Sequence, residues 1–159
     1  MKTQRTPPVQ QFRELLITAS AEQVWQVLTD INNWVYWHNE ITAAQLHDSL
    51  QTGSSFTYTY NKTTIKARIQ TLEMCRQFQF IGKAYGVTAL STWVLKPMET
   101  GVLVQNKEQM WGLIPILLKR TFNKNLGKGI ERWLQKLQQQ VNKNEILEQR
   151  KNESILTSN

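Results

Sequence analysis

The residues best suited to chemistry stand in a segment near residue 105 that alternates apolar and polar side chains as a β-strand does. Alternation places five residues on one face of this strand: Val102, Val104, Asn106, Glu108 and Met110. If that face points inward, a carboxamide and a carboxylate enter an apolar interior, which is typical of a ligand-orienting site. A buried carboxylate must be protonated, paired or hydrated. Glu108 is therefore a candidate binding residue and a weak candidate for a general acid or base. The alternative is a carboxylate at the sheet edge near the pocket mouth, solvated or paired with Lys107 or Arg68.

Other reactive residue types give weaker signals. His38 and His47 are nine residues apart, and no acidic pair lies nearby at ligand spacing. Cys75 is the single cysteine, stands at a predicted hairpin turn and has no recognisable histidine partner in sequence. We therefore predict no metal site, no nucleophilic catalysis and no cofactor.

Hydrophobic periodicity indicates the elements that position these residues. Gln10–Ile17 reads as a first strand. Ser20 and Gln23 form a capping box that starts a helix over Ala21–Asp30. The segment Trp34–Trp37 reads as a second short helical turn. The period then changes to two, which predicts these strands: Thr42–Leu46, Ser55–Tyr60, Ile65–Leu72, Gln77–Lys83, Ala89–Leu95 and Val102–Trp111.

The helical period returns at Pro115, a residue that suits a helix start. Apolar residues at steps of three or four then form one stripe as far as Val141, with Lys and Arg opposite. Gly127 and Gly129 fall inside this helix, where we expect a bend or a close approach to the sheet. Residues 144–159 are polar and predict a frayed or flexible tail.

The element order predicts an α+β domain with about seven antiparallel strands, two short helices after the first strand and one long C-terminal helix. No βαβ alternation is present, which argues against a parallel nucleotide-binding sheet. The chain has 159 residues, of which 40% are hydrophobic, enough for one domain with one core. We expect an N-terminal arm at 1–9, a folded domain at 10–143 and the tail at 144–159.

Two stretches carry a family resemblance. Residues 17–37, ITASAEQVWQVLTDINNWVYW, resemble the opening of the START-like superfamily of polyketide cyclases, dehydrases and lipid carriers (SRPBCC). Residues 91–97, STWVLKP, followed by a turn and GVLV at 101–104, resemble the last hairpin of that superfamily. The order of elements agrees from about residue 10 to residue 143.

The resemblance implies a helix-grip fold, in which the long helix lies across a concave sheet and a hydrophobic cavity lies between them. It also suggests which strand faces point inward. The ligand-binding residues expected on this basis are Trp37, Tyr58, Tyr60, Phe80, Trp93, Asn106, Glu108 and Met110. Each aromatic ring among them has the alternative role of packing against the helix alone. The apolar run from Trp111 to Leu118 gives the expected pocket mouth: Trp111, Leu113, Ile114 and Ile116. Its alternative is a buried entry to the helix.

Charge adds possible partners. The net charge is +7, and residues 115–143 carry seven Lys or Arg against one acid, Glu131. Such a segment can be a solvated helix face, or it can contact anionic lipid or an acidic protein. A nucleic-acid partner is disfavoured because exposed aromatic residues are not interleaved with the cations. Residues 1–10 show no apolar run like a signal peptide, and the lone cysteine favours the cytoplasm.

Three functions remain open at this level. The first is binding or transport of a hydrophobic or aromatic small molecule or lipid in the cavity. The second is a cyclase or dehydratase in which Glu108, Tyr58 or Tyr60 moves protons. The third is a regulatory protein that binds an acidic macromolecule through Lys124, Lys128, Arg132 and Lys136.

Overall fold

The computed structural model describes residues 6–157. The first five residues of the expected N-terminal arm and the last two of the expected tail lie outside this range. Seven antiparallel strands form one sheet: β1 Val9–Ile17, β2 Ile41–Leu46, β3 Ser55–Tyr60, β4 Thr63–Glu73, β5 Gln77–Ala84, β6 Val87–Met98 and β7 Gly101–Trp111. The order across the sheet is β1-β7-β6-β5-β4-β3-β2. Strands β2 to β7 are a meander, and β1 closes the far edge by pairing with β7.

Tight hairpin turns join the long strands at the end of the sheet where β7 finishes. Asn61 and Lys62 join β3 to β4, and Tyr85 and Gly86 join β5 to β6. All four have positive φ, between 46° and 75°. Two consecutive left-handed residues are the geometry that matches the right-handed twist of paired strands.

The helices are α1 Ala21–Thr29, α2 Trp34–Trp37, α3 Leu113–Leu117 and α4 Lys119–Leu156, with a single 3-10 turn at Ile31–Asn33. The predicted capping box is present: the Gln23 amide N–H donates to the Ser20 hydroxyl, and the Ser20 N–H donates to the Gln23 side chain. No helix among residues 6–157 is long and apolar enough to cross a membrane. The predicted helix-grip architecture is confirmed.

The single helix expected from Pro115 is wrong, because the chain forms two helices there. Pro115 lies in the first turn of α3, where its missing N–H costs no hydrogen bond. Leu118 then adopts φ −111° and ψ 33°, which is outside helical geometry, and α4 begins at the next residue. The change of direction at Leu118 separates the apolar α3 from the amphipathic α4.

The C-terminal end also differs from the expected flexible tail. Helix α4 continues without a break past Val141, its last buried residue, to Leu156. Residues 145–156 are mostly Glu, Gln, Lys, Arg, Leu and Ile, and nearly all of these are good helix formers. The polar residues of this stretch therefore belong to a solvent-exposed helix and not to a flexible tail.

Gly127 provides the close approach predicted for the long helix. An added Cβ at Gly127 would lie 2.6 Å from the Arg13 guanidinium and 3.1 Å from the Gln11 side chain, both on β1. Arg13 in turn donates a hydrogen bond of 2.8 Å to Glu131, one turn further along α4. Gly129 is less crowded, since the nearest atom to its added Cβ is the Tyr60 hydroxyl at 3.5 Å.

The two glycines predict opposite results for the same substitution. We expect Gly129→Ala to raise the free energy of unfolding by up to about 1 kcal/mol, because alanine costs less backbone entropy in a helix and fits without a clash. We expect Gly127→Ala to gain nothing or to destabilise, because Arg13 must move. Urea unfolding of both variants measures the difference, and equal gains would contradict the close packing at Gly127.

Candidate ligand-binding site

A cavity of about 660 Å³ lies between the concave face of the sheet and α4. Strands β3 to β7 form its floor, and α4 and one residue of α3 form its roof. Exposed residues belong to its rim, among them Asn61, Tyr85 and Lys128, so the cavity opens to the surface at that end.

The space exists because side-chain size falls along β5 and β6. Strand pairing places Phe78 opposite Trp93, and two residues further along β5 it places Phe80 opposite Ser91. The next inward-facing pair is Gly82 with Ala89. Bulky rings thus fill the gap under the helix at one end of the sheet, and small residues leave it empty at the other.

An aromatic cluster around Trp133 of α4 closes the inner end of the cavity. The Trp133 ring lies 5.1 Å from Trp34, 5.5 Å from Trp37 and 5.9 Å from Trp93, measured between ring centroids. These edge-to-face contacts bury large apolar surfaces and hold the helix against α2 and the sheet. Trp133 itself lines the cavity, so the cluster is also its back wall.

Three polar side chains meet on the floor of the cavity. Ser91 is paired with Glu108 across β6 and β7, and Asn106 precedes Glu108 by two residues on the same face. The Asn106 amide donates to the Ser91 hydroxyl and to the Thr92 carbonyl, each at 3.4 Å. Asn106 is only 1% exposed, and Ser91 and Asn106 both hydrogen-bond the Glu108 carboxyl. The group is therefore a connected polar network within apolar walls.

Glu108 has an unusual protonation equilibrium in this place. Burial raises the pKa of its carboxyl to about 7, and the hydrogen bonds from Ser91 and Asn106 counteract only part of that effect. Near neutral pH the carboxyl is therefore divided between its acid and its anion. Tyr58 faces the same space, and burial first, with the Glu108 charge second, raises the pKa of its phenol. Tyr58 thus remains a hydrogen-bond donor at all ordinary pH values.

A second polar group lies where α4 passes the end of β3. The Arg132 guanidinium donates to Glu40 at 3.0 Å, and the Tyr60 hydroxyl donates to the same carboxylate oxygen at 3.1 Å. Burial alone would raise the pKa of Glu40, but these hydrogen bonds and the Arg132 charge outweigh it and lower that pKa. Arg132 and Tyr60 line the cavity, whereas Glu40 stands behind them. This group presents a fixed cation and a phenol to a ligand.

His38 is packed inside the aromatic cluster rather than on the cavity wall. It is fully buried, with its ring 4.2 Å from that of Trp133 and 5.7 Å from that of Tyr60. Among residues 6–157, nothing beyond its own backbone hydrogen-bonds either ring nitrogen. Burial is the main cause that lowers its pKa to about 4, so the ring is neutral at ordinary pH. We assign His38 a packing role.

Seven of the residues predicted from the sequence lie on the cavity wall: Tyr58, Tyr60, Phe80, Asn106, Glu108, Met110 and Ile114. Trp37 and Trp93 instead lie behind the wall, in contact with Trp133. Trp111, Leu113 and Ile116 stand near the opening without lining the cavity. Within residues 6–157, no three His, Cys, Asp or Glu side chains are grouped to hold a metal ion.

Sequence reasoning missed the role of Arg132 because it counted this residue among the solvated cations of the helix. Arg132 is held by Glu40, which is 92 positions away in sequence. Lys128 also lines the cavity rather than standing apart on an outer face. The available signal was Gly129, since residues 125, 129 and 132 share one helix face and a glycine there marks a close approach. The basic face formed by Lys124, Lys128, Arg132 and Lys136 is thus partly engaged inside the fold.

Comparison with solved structures finds many similar folds at low sequence identity. A START superfamily protein from Mycobacterium smegmatis superposes with a TM-score of 0.75 at 14% identity, covering 84% of this chain and 97% of that one. The protein XoxI from Bacillus cereus gives a TM-score of 0.68 at 23% identity, covering 86% of this chain and 98% of that one. The di-domain aromatase/cyclase StfQ from the steffimycin biosynthetic pathway gives 0.74 at 10% identity, covering 86% of this chain and 51% of that one. Identities this low show the fold alone.

No curated protein matches the sequence. The sequence profile of one family, described as polyketide cyclase / dehydrase and lipid transport, does match, over residues 12–144. That span includes every strand except the start of β1, the two short helices, α3 and the packed part of α4. The chain therefore belongs to the polyketide cyclase/dehydrase and lipid transport family.

Proposed function

We propose that this protein binds and carries a hydrophobic small molecule or lipid in the cavity between its sheet and α4. The main support for the proposal is the decrease in side-chain size along β5 and β6, from Phe78 and Trp93 to Gly82 and Ala89. Gly82 and Ala89 contribute only a hydrogen atom and a methyl group to this part of the sheet, and the cavity lies between them, Ile65 and α4. An apolar gap without a ligand loses dispersion contacts on both walls, so a ligand that fills it binds favourably.

The polar groups indicate what such a ligand carries. A volume of about 660 Å³ suits a molecule the size of a multi-ring aromatic compound or a single acyl chain. A protonated Glu108 donates a hydrogen bond, and with Ser91 and Asn106 it fits a carbonyl or hydroxyl oxygen near the middle of an otherwise apolar ligand. Arg132 and Tyr60 fit a second oxygen, neutral or anionic, at the side next to α4.

The proposal assigns binding to the domain of residues 10–143 and gives Trp37 and Trp93 supporting positions behind the cavity wall. We place this activity in the cytoplasm, because a chain with one cysteine needs no oxidising compartment for a disulfide.

A cyclase or dehydratase is the second candidate, and one observation favours it. A carboxyl whose pKa is near 7 accepts and donates protons with equal ease at neutral pH, as a general acid or base requires. In this function the cavity would fold a chain of ketone groups so that a CH₂ group between two ketones lies next to Glu108. The carboxylate would remove a proton there, and the Tyr58 phenol would hydrogen-bond the enolate oxygen.

Filling the cavity should abolish binding without unfolding the protein. We expect Ala89→Phe, which extends a ring into the gap, to weaken binding of the fluorescent apolar probe anilinonaphthalene sulfonate by roughly tenfold or more. Leu90→Phe is the matched control, since Leu90 is the next residue on the same strand and faces the opposite side of the sheet. Fluorescence titration measures both. Equal affinity in the two variants and the unsubstituted protein would reject the cavity as the binding site.

Glu108 predicts a specific dependence of stability on pH. Because the folded-state pKa of about 7 exceeds the ordinary value of 4.5, the unfolded chain loses this proton first as pH rises. Stability should therefore fall between about pH 4.5 and pH 7, and the carboxylate should cost about 3 kcal/mol above that window. Glu108→Gln removes the charge, so it should stabilise the protein at about pH 8 and approach the unsubstituted protein below about pH 5. Urea unfolding at both pH values measures this, and a pH-independent difference would contradict the buried carboxyl.

The enzymatic candidate has its own test. We expect purified protein to convert a linear thioester with several ketone groups into an aromatic product, followed by absorbance, and Glu108→Gln to abolish this turnover while retaining probe binding. Ser91→Ala, which removes one hydrogen bond to Glu108 and adds no charge, serves as a comparison for general disturbance of the polar network. A rate unchanged by Glu108→Gln would rule out the proton-transfer role and leave the carrier function.

A further inference from the structure

The short helix α3 turns its apolar side chains to solvent. Leu113, Ile116 and Leu117 are spaced so that they share one helix face, and they are 70%, 59% and 71% exposed. Pro115 is the one buried residue of α3. An ordinary surface helix has the reverse arrangement, with its apolar face buried and its polar face in water.

A second exposed apolar group lies beside α3. Tyr85, in the turn between β5 and β6, is 79% exposed, and Leu118 at the end of α3 is 51% exposed. The start of α3 is fixed against this turn, because a Cβ on Gly112 would lie 2.5 Å from the Gly86 carbonyl. We call the resulting surface the docking patch, and it consists of Tyr85, Leu113, Ile116, Leu117 and Leu118.

The charged residues that follow the docking patch along the chain are all positive as far as Glu131. Four exposed cations follow α3 in the chain, namely Lys119, Arg120, Lys124 and Lys128. No acidic residue occurs between Glu108 and Glu131, and Glu108 faces the cavity. Apolar side chains flanked by unopposed cations match the boundary of an anionic bilayer, where acyl chains lie beneath negative headgroups.

The docking patch is also continuous with the cavity opening. Tyr85 belongs both to the patch and to the cavity rim, and Ile114 of α3 lines the cavity beside Leu113. A surface that rests on this patch would therefore meet the opening directly. A hydrophobic ligand could then pass between lipid and cavity without crossing bulk water.

We propose that the docking patch binds the surface of anionic membranes, with its apolar side chains at the headgroup boundary and the four cations on lipid phosphates or carboxylates. This contact does not depend on which molecule occupies the cavity. Pairing of two copies through the same patch fits less well, because the neighbouring cations of the two copies would approach one another and the segment between Glu108 and Glu131 has no acid to oppose them.

Vesicle co-sedimentation of the full chain tests the proposal. We expect binding to vesicles of equal parts phosphatidylcholine and phosphatidylglycerol, and at least roughly tenfold weaker binding to pure phosphatidylcholine. Leu113→Ser combined with Leu117→Ser should abolish the binding, and Lys119→Gln combined with Arg120→Gln should weaken it and its dependence on salt. Met74→Ser is the matched control, since Met74 is 79% exposed in a turn at the opposite end of the sheet.

The outcomes separate the possible partners. No binding to anionic vesicles, or binding that survives Leu113→Ser with Leu117→Ser, overturns the proposal. A dimer in light scattering that these substitutions dissociate, without vesicle binding, would assign the patch to a second copy and also overturn it. The Ala89→Phe variant should still bind vesicles, so that loss of ligand binding and loss of membrane binding remain distinguishable.

Discussion

The architecture depends on the distance between α4 and the concave face of the sheet. The size of the inward-facing side chains on β5 and β6 sets that distance. Where Phe78 faces Trp93 across the strand pair, rings fill the space and Trp133 of α4 packs on them. Where Gly82 is paired with Ala89, neither side chain is long enough to reach the helix, and Ile65 of β4 covers Gly82. Helix α4 is held by Trp133 on the rings and by the close approach of Gly127 to β1, so it passes over the small residues of β5 and β6 at a distance. The cavity is the geometric result of that gradient.

A neighbouring positive charge explains why the pKa values of the two carboxyls, Glu40 and Glu108, are shifted in opposite directions. Glu40 lies beside Arg132 and Tyr60, and their hydrogen bonds and charge favour its anion. Glu108 lies on the cavity floor with neutral donors only, so burial dominates and favours its acid form. Each carboxyl accepts hydrogen bonds from two side chains. Only Glu40 has a full positive charge beside it. That charge offsets the free-energy cost of removing the carboxylate from water, whereas the neutral amide and hydroxyl beside Glu108 offset only part of it.

The sequence predicted the elements well because each one has a local cause. The Ser20 capping box and the alternation of β7 both depend on neighbouring residues, and both are present. Strand alternation also placed Asn106 and Glu108 together correctly. The Arg132–Glu40 pair was missed because its residues are 92 positions apart, and no pattern in the sequence marked the break at Leu118. The prediction of a flexible tail at residues 145–156 was based on their polar composition. Most of these polar residues are also good helix formers, so the composition fits an exposed helix equally well.

The break at Leu118 does more than correct a boundary. In a continuous helix at 100° per residue, Pro115 would lie on the stripe that α4 buries, whereas Leu113 and Leu117 would lie on the face of Lys124 and Lys128. The change of direction instead carries α3 past the rim, leaving Ile114 on the cavity wall and Leu113 and Leu117 in solvent. One short helix therefore supplies both a residue of the cavity wall and the exposed apolar surface beside the opening. Because the chain changes direction at Leu118, these two features are separated from the stripe that α4 buries against the sheet.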